Sequence, residues 1–253
     1  MAYIHGTTWC QQSCAHCCVD YGAGKRGKHM DFDTFIGAVY YASDCGEFVS
    51  LGGGEISLHP RFRDMVKHIL DNTSLNLQMV TNGGKAIKGV SKNIRWLIDL
   101  MESGWYESER LDVELSLDQF HDPVEDMQVL AYFTRYRKRP YGYGTYQKVR
   151  NIGDRKLARD GRALKLGIND YEWQDECPES QCVCTDHQVY PDGRITACGC
   201  PDSPEIGRIT FHGYTMDRDP NDLAQTEDQC FSPSKIKMKE EWKRAKEGKG
   251  AHQ

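Results

Sequence analysis

Cys10, Cys14 and Cys17 stand in the order CxxxCxxC directly after the segment YIHGTTW, which reads as a first strand. Their thiolates therefore share one loop at the end of that strand. Three protein ligands leave one iron of a 4Fe-4S cube without a side chain, whereas cubes that only carry electrons are closed by four cysteines. The same residues also suit a zinc ion completed by His16 or Cys18. Cys18 otherwise reads as packed or incidental. Cys45, beside Gly46, reads as a small buried hydrophobe.

A second group of thiols follows residue 176: Cys177, Cys182, Cys184, Cys198, Cys200 and Cys230. A turn at Pro191-Asp192-Gly193 predicts a hairpin that folds Cys182 and Cys184 back beside Cys198 and Cys200, giving four sulfurs within reach of one metal centre. Spacing alone does not say which four bind, and Cys230 is a substitute for one of them. Four paired thiolates also suit a structural zinc.

The chain around these residues has 253 positions, 39% apolar and 27% charged, a globular composition long enough for one large domain with a small appendage. Its formal charge of -5 and lack of a basic tract argue against a nucleic-acid partner. No apolar run reaches the roughly 20 residues that span a bilayer, and MAYIHGTTWC has no signal-peptide pattern. A cytoplasmic protein without a membrane partner is expected, acting as a monomer. Eleven clustered cysteines in a reducing compartment point to metal rather than disulfides.

The elements that must position the thiols alternate between period two and period 3.6. Strands are predicted at 47–51, 75–80 and 111–118, with weaker ones at 146–152 and 163–168. Amphipathic helices are predicted behind an Asp31 N-cap, from Pro60, around Ile94 to Met101, and from Asp122 and Pro123 with Val124, Met127, Leu130 and Ala131 on one face. A short charged helix over 235–246 closes the chain. Strand–helix units imply a parallel sheet, whose active sites lie at the strands' C-terminal ends. Along 111–118, Leu111, Val113, Leu115 and Leu117 take one face and Asp112, Glu114, Ser116 and Asp118 the other, so Glu114, Ser116 and Asp118 are candidates to line a cavity.

With CQQSCAHC at 10–17, GGGE at 52–55, TNG at 81–83 and SLD at 116–118 in register, the sequence resembles the radical S-adenosylmethionine (SAM) enzyme superfamily. The resemblance implies a partial (βα)6 barrel over 1–171, SAM bound at the open iron, and cleavage to methionine and a 5′-deoxyadenosyl radical. It further implies an external electron donor such as flavodoxin or ferredoxin. Gly53, Gly54, Glu55, Asn82, Ser116 and Asp118 would contact SAM, the glycines by letting backbone approach the methionyl ammonium, and GRA at 161–163 makes Arg162 a further candidate. Glu114, Asp118, Gln119 and His121 would face the substrate.

Cys182, Gly193 and Cys198 are spaced like the opening of a Twitch or SPASM extension. That implies a cysteine-rich hairpin-and-helix domain over 172–253 with one auxiliary iron-sulfur cluster on Cys182, Cys184, Cys198 and Cys200; the denser cysteine runs of a full SPASM domain are absent. No module precedes the triplet to hold a leader peptide, which favours a small molecule or short peptide as substrate. A glycyl-radical-enzyme activase and a non-catalytic metal or electron-transfer protein are the rival readings.

Overall fold

The computed structural model describes residues 1–17, 19–84, 90–107, 109–117, 120–135, 145–147, 187–199, 203–211 and 213–218. The expected strand at 163–168, the helix at 235–246, and Cys18, Asp118, Gln119, Arg162, Cys177, Cys182, Cys184, Cys200 and Cys230 lie outside them.

One sheet runs through these residues in the order β5-β4-β3-β2-β1-β6-β7-β8-β9. Its strands are β1 (Ala2–Thr7), β2 (Phe48–Gly53), β3 (Asn76–Thr81), β4 (Leu111–Ser116), β5 (Thr145–Gln147), β6 (His187–Val189), β7 (Arg194–Thr196), β8 (Glu205–Thr210) and β9 (Gly213–Met216). The first six are mutually parallel, with β1 between β2 and β6. The last three continue antiparallel. Among the described residues four helices connect the parallel strands: α1 (Phe32–Cys45), α2 (Phe62–Asn72), α3 (Val90–Glu102) and α4 (Met127–Arg135). This is the α/β class expected from the alternating periods.

Alternation sorts each parallel strand into an apolar and a polar face. Ile4, Val49, Leu51, Leu77, Met79, Val113 and Leu115 are buried in one core with Phe35, Phe62, Met65, Ile69, Ile94 and Leu97 from the helices. Each such side chain contributes about 1.5–3 kcal/mol through removal from water. The opposite face carries Tyr3 and His5 on β1, Ser50 on β2, Gln78 on β3, and Asp112 and Glu114 on β4, which fall in register across the pairing.

The helix starts show where local chemistry overrides pattern. The Asp31 side chain accepts from Thr34 N at 2.9 Å, as an N-cap should. α2 begins two residues past Pro60, because Arg61 N donates to His59 Nδ1 at 3.0 Å and holds a turn there. α4 begins at Met127, five residues after the expected Asp122. Asp126 Oδ1 accepts from Gln128 N (3.0 Å) and Val129 N (3.4 Å), capping the helix where its own backbone begins to turn. The buried face is consequently Val129, Tyr132 and Phe133, while Met127 is exposed. Val124 is buried outside the helix, beside Gly83.

The hairpin expected at 191–193 joins β6 to β7. Gly193 has φ 82, and its N–H donates to Tyr190 O at 2.9 Å. β8 and β9 pack under α1, where Gly37 leaves room for Ile209, and Tyr214 donates to Asp44 Oδ2 at 2.7 Å.

The end of β2 and the turn that follows it explain their three glycines by contact rather than by flexibility. A Cβ on Gly52 would lie 2.1 Å from the Tyr3 hydroxyl, one on Gly53 2.1 Å from Thr7 O, and one on Gly54 2.0 Å from Trp9 O. Gly54 N donates to Thr7 O (2.7 Å) and Glu55 N to Trp9 O (2.9 Å), so the turn lies flat on the chain leading to Cys10.

Two substitutions test these local arguments by urea unfolding. Gly53→Ala, against backbone and at φ 112, should cost about 3 kcal/mol, whereas Gly24→Ala, at φ 83 in open space, should cost about 1 kcal/mol; equal losses would deny the packing role. Asp126→Ala should cost about 1 kcal/mol at neutral pH. Burial raises the Asp126 carboxyl, but Arg95 and the capped N–H groups lower it further, to below the usual carboxylate range. Its contribution is therefore present above the unfolded-state pKa near ~4 and lost as pH falls through the folded value.

Candidate functional site

The loop from Thr8 to Met30 leaves β1 at the C-terminal end of the parallel strands and returns beside it. Thr8 N donates to Lys28 O and Met30 N to Gly6 O, both at 2.9 Å, and Ala23 N donates to Gln12 O at 3.0 Å. The two limbs are therefore zipped together. Cys10, Cys14 and Cys17 are partly exposed on this loop, and Cys17 N donates to Cys14 O at 3.2 Å, which makes one turn of the last two.

Glu55 ties the glycine turn to the end of β3. Its buried carboxylate accepts from Ser57 N (3.2 Å), Thr81 Oγ1 (2.9 Å), Asn82 N (2.8 Å) and the Ser57 hydroxyl. Burial pushes its carboxyl above the ordinary range against those four bonds. Asn82 then reaches the thiol loop: its Oδ1 accepts from Gln11 Nε2 at 2.8 Å, and its Nδ2 lies 3.7 Å from Cys10 Sγ. Ser116 is buried at the end of β4, and Glu114 is half-buried on the polar face.

The segment after β4 closes on the same loop. The His121 ring lies 4.8 Å from that of His16, between Cys14 and Cys17, and Phe120 lies 4.7 Å from it. Gln12 Oε1 accepts from Cys14 Sγ and from Asp122 N, each at 3.2 Å. Of the expected site residues, Cys10, Cys14, Cys17, Gly53, Gly54, Glu55, Asn82 and His121 thus meet around one loop. Cys198 is buried on the other side of β1, past the hairpin, where its N–H donates to Ser203 Oγ at 3.0 Å.

Gln11 and Gln12 escaped the sequence reading because nothing in an amide's type or spacing marks it as a clasp. That Tyr3 and His5 share a face was legible in principle, since Tyr3, His5 and Thr7 alternate along β1, whereas the partner of His5 was not.

Among the described residues no three His, Cys, Asp or Glu side chains are arranged to hold a metal ion. The donor chemistry of the loop nevertheless fits a thiophilic cluster. Burial pushes the Cys10 thiol up to about 12, with a nearby Gln12 backbone N–H opposing and Glu55, Cys14 and Cys17 adding like charge, so that a cation is needed to make it a thiolate. Gln12 is 2% exposed, and among the described residues its Nε2 has no hydrogen-bond partner. A buried donor in that state costs about 1–3 kcal/mol, and a sulfur-rich anionic group beside Cys14 is an acceptor of the kind it lacks.

No protein-family model matches the chain, and no curated protein matches it. Among solved structures it is similar to BtrN in complex with AdoMet and 2-DOIA, with a TM-score of 0.51 and 13% identity over 88% of this chain and 79% of BtrN. Streptococcus suis SuiB bound to S-adenosylmethionine gives a TM-score of 0.42 and 11% identity over 81% of this chain and 62% of SuiB. Among the described residues no helix is long and apolar enough to cross a membrane. The likeness to BtrN is one of architecture: this chain shares the overall fold of that protein.

Proposed function

We propose that this chain is a radical SAM enzyme that cleaves SAM reductively and abstracts a hydrogen atom from an unactivated carbon of its substrate. The observation that carries the reading is the CxxxCxxC loop laid on the glycine turn at the C-terminal ends of parallel strands, in a fold shared with a protein that binds AdoMet. Cys10, Cys14 and Cys17 would hold a 4Fe-4S cluster with one iron open. When bound, such a group would supply the electron for reductive cleavage of SAM to methionine and a 5′-deoxyadenosyl radical, the route by which 5′-deoxyadenosine would form.

The chain's own residues bind and orient. Gly53, Gly54 and Glu55 form the turn against which the methionyl end of SAM would rest. Asn82, Ser116, Asp118 and Arg162 are the remaining candidates for SAM contact. Glu55 acts through others: with four donors on its carboxylate it fixes Asn82 relative to the thiol loop. Glu114, Asp118 and His121 are the candidates to face substrate, His121 being already seated on His16 of the thiol loop.

BtrN's 2-DOIA favours a small molecule as substrate. We assign residues 172–253 to a Twitch-like segment in which Cys182, Cys184, Cys198 and Cys200 hold one auxiliary iron-sulfur cluster, with flavodoxin or ferredoxin as electron donor.

Anaerobically reconstituted and reduced protein should release 5′-deoxyadenosine from SAM, and replacing Cys10, Cys14 and Cys17 together by Ala should reduce that release to background. Undiminished release from the triple variant, or none from the parent at full iron loading, would overturn the proposal.

A further inference from the structure

Among the described residues, the polar face of the sheet also holds a buried, hydrogen-bonded group that belongs to no step of the proposed reaction, His5 with Gln188. His5, on β1, is 1% exposed. Its Nε2 lies 2.9 Å from Gln188 Oε1, on β6. A carboxamide oxygen only accepts, so Nε2 carries the proton. Burial also lowers the His5 pKa to about 4, with Gln188 opposing, so the ring is neutral and its Nδ1 is an acceptor. The group placed at Nδ1 is the Tyr21 hydroxyl, at 3.5 Å, with the Tyr21 ring edge-on to the imidazole. Polarity along the chain is thus fixed: Tyr21 donates to His5, and His5 donates to Gln188.

Tyr21 sits on the returning limb of the thiol loop. It follows Asp20, whose φ of 55 lies in the left-handed region that non-glycine residues avoid. Such a conformation persists only where its surroundings determine it. Lys25 Nζ donates to Asp20 O at 2.7 Å on one side, and the His5 contact holds Tyr21 on the other. Two residues further on, Ala23 N donates to Gln12 O, and Gln12 Oε1 accepts from Cys14 Sγ. The β6 end of the chain is equally held: Tyr190 stacks on His5 at 4.6 Å and 6°, Arg194 lies over Tyr190 at 4.9 Å, and the Gln188 amide packs against Gly199, next to Cys198.

We infer that His5 is a positioning residue that locks the thiol loop to the β6–β7 hairpin, so that the placement of Cys10 and Cys14 depends on Gln188 and Tyr190 more than 160 residues away. This rests on the reading of the loop as the holder of a metal group, but the lock itself is a property of the protein chain. Its structural part is separable from that reading.

The test uses Tyr21→Phe, His5→Phe and the double variant of the full chain, with two readouts: amide hydrogen exchange in 19–28 compared with β4, and the rate at which the reconstituted protein loses iron to a chelator. Tyr21→Phe should raise exchange in 19–28 and iron loss about fivefold while leaving β4 unchanged. His5→Phe keeps the stack on Tyr190 and should do the same, and the double variant should be no worse than the larger single change. Unchanged exchange in 19–28, an equal rise in β4, or additive effects would overturn the lock; if His5→Phe fails to fold, Tyr21→Phe alone still decides. Exchange measured on the metal-free chain separates this from the proposed function. Protein that shows the local pattern but never cleaves SAM retires the enzyme reading and keeps the lock, whereas SAM cleavage without the pattern does the reverse.

Discussion

Two stretches of backbone lie directly on each other: Gly53 and Gly54 at the end of β2, and Thr7 to Cys10 at the end of β1. Any Cβ on the glycine side would come within 2.1 Å of an atom of β1 or the loop that follows it. Everything else at the site is built outward from this contact. It sets where Cys10 leaves the sheet, and it places Glu55 so that its carboxylate reaches the end of β3. Through Asn82 and Gln11 it returns to the thiol loop from the other side. A flexible glycine turn would leave the thiols free to wander. A packed one makes their position a consequence of how β1 pairs with β2.

Burial gives the site a common electrostatic character. It moves His5, Cys10 and Glu55 each toward the uncharged form. In such surroundings a charge brought by a ligand is poorly screened and interacts strongly with whatever faces it. A sulfonium and an electron-rich cluster would both feel this, and the chain's contribution is a fixed polar lining rather than a set of opposing charges.

Much of this was legible in the sequence. The thiol spacing, the glycines after a strand, and the alternation of Leu111, Val113 and Leu115 each pointed to their observed place, as did the Asp31 cap and the turn ending in Gly193. The fourth helix was placed too early because Pro123 is a good first-turn residue, while capping by Asp126 depends on an ion pair with Arg95 of another helix at 2.8 Å. The glycines were read as letting a ligand approach the backbone, and their close packing on β1 and the thiol loop is a second reason for them that the sequence did not show. The clasps made by Gln11, Gln12 and His5 were invisible because they depend on which strands are neighbours, and the pairing of β6 with β1 joins residues far apart in sequence.

The central claim is that the three thiols hold a cluster with an iron left for SAM. Electron paramagnetic resonance of the reconstituted, reduced protein, recorded before and after SAM is added, tests it most directly. The account predicts a reduced-cluster signal whose g-values shift when SAM binds. A signal indifferent to SAM, or a protein that holds zinc and gives no signal, would contradict it.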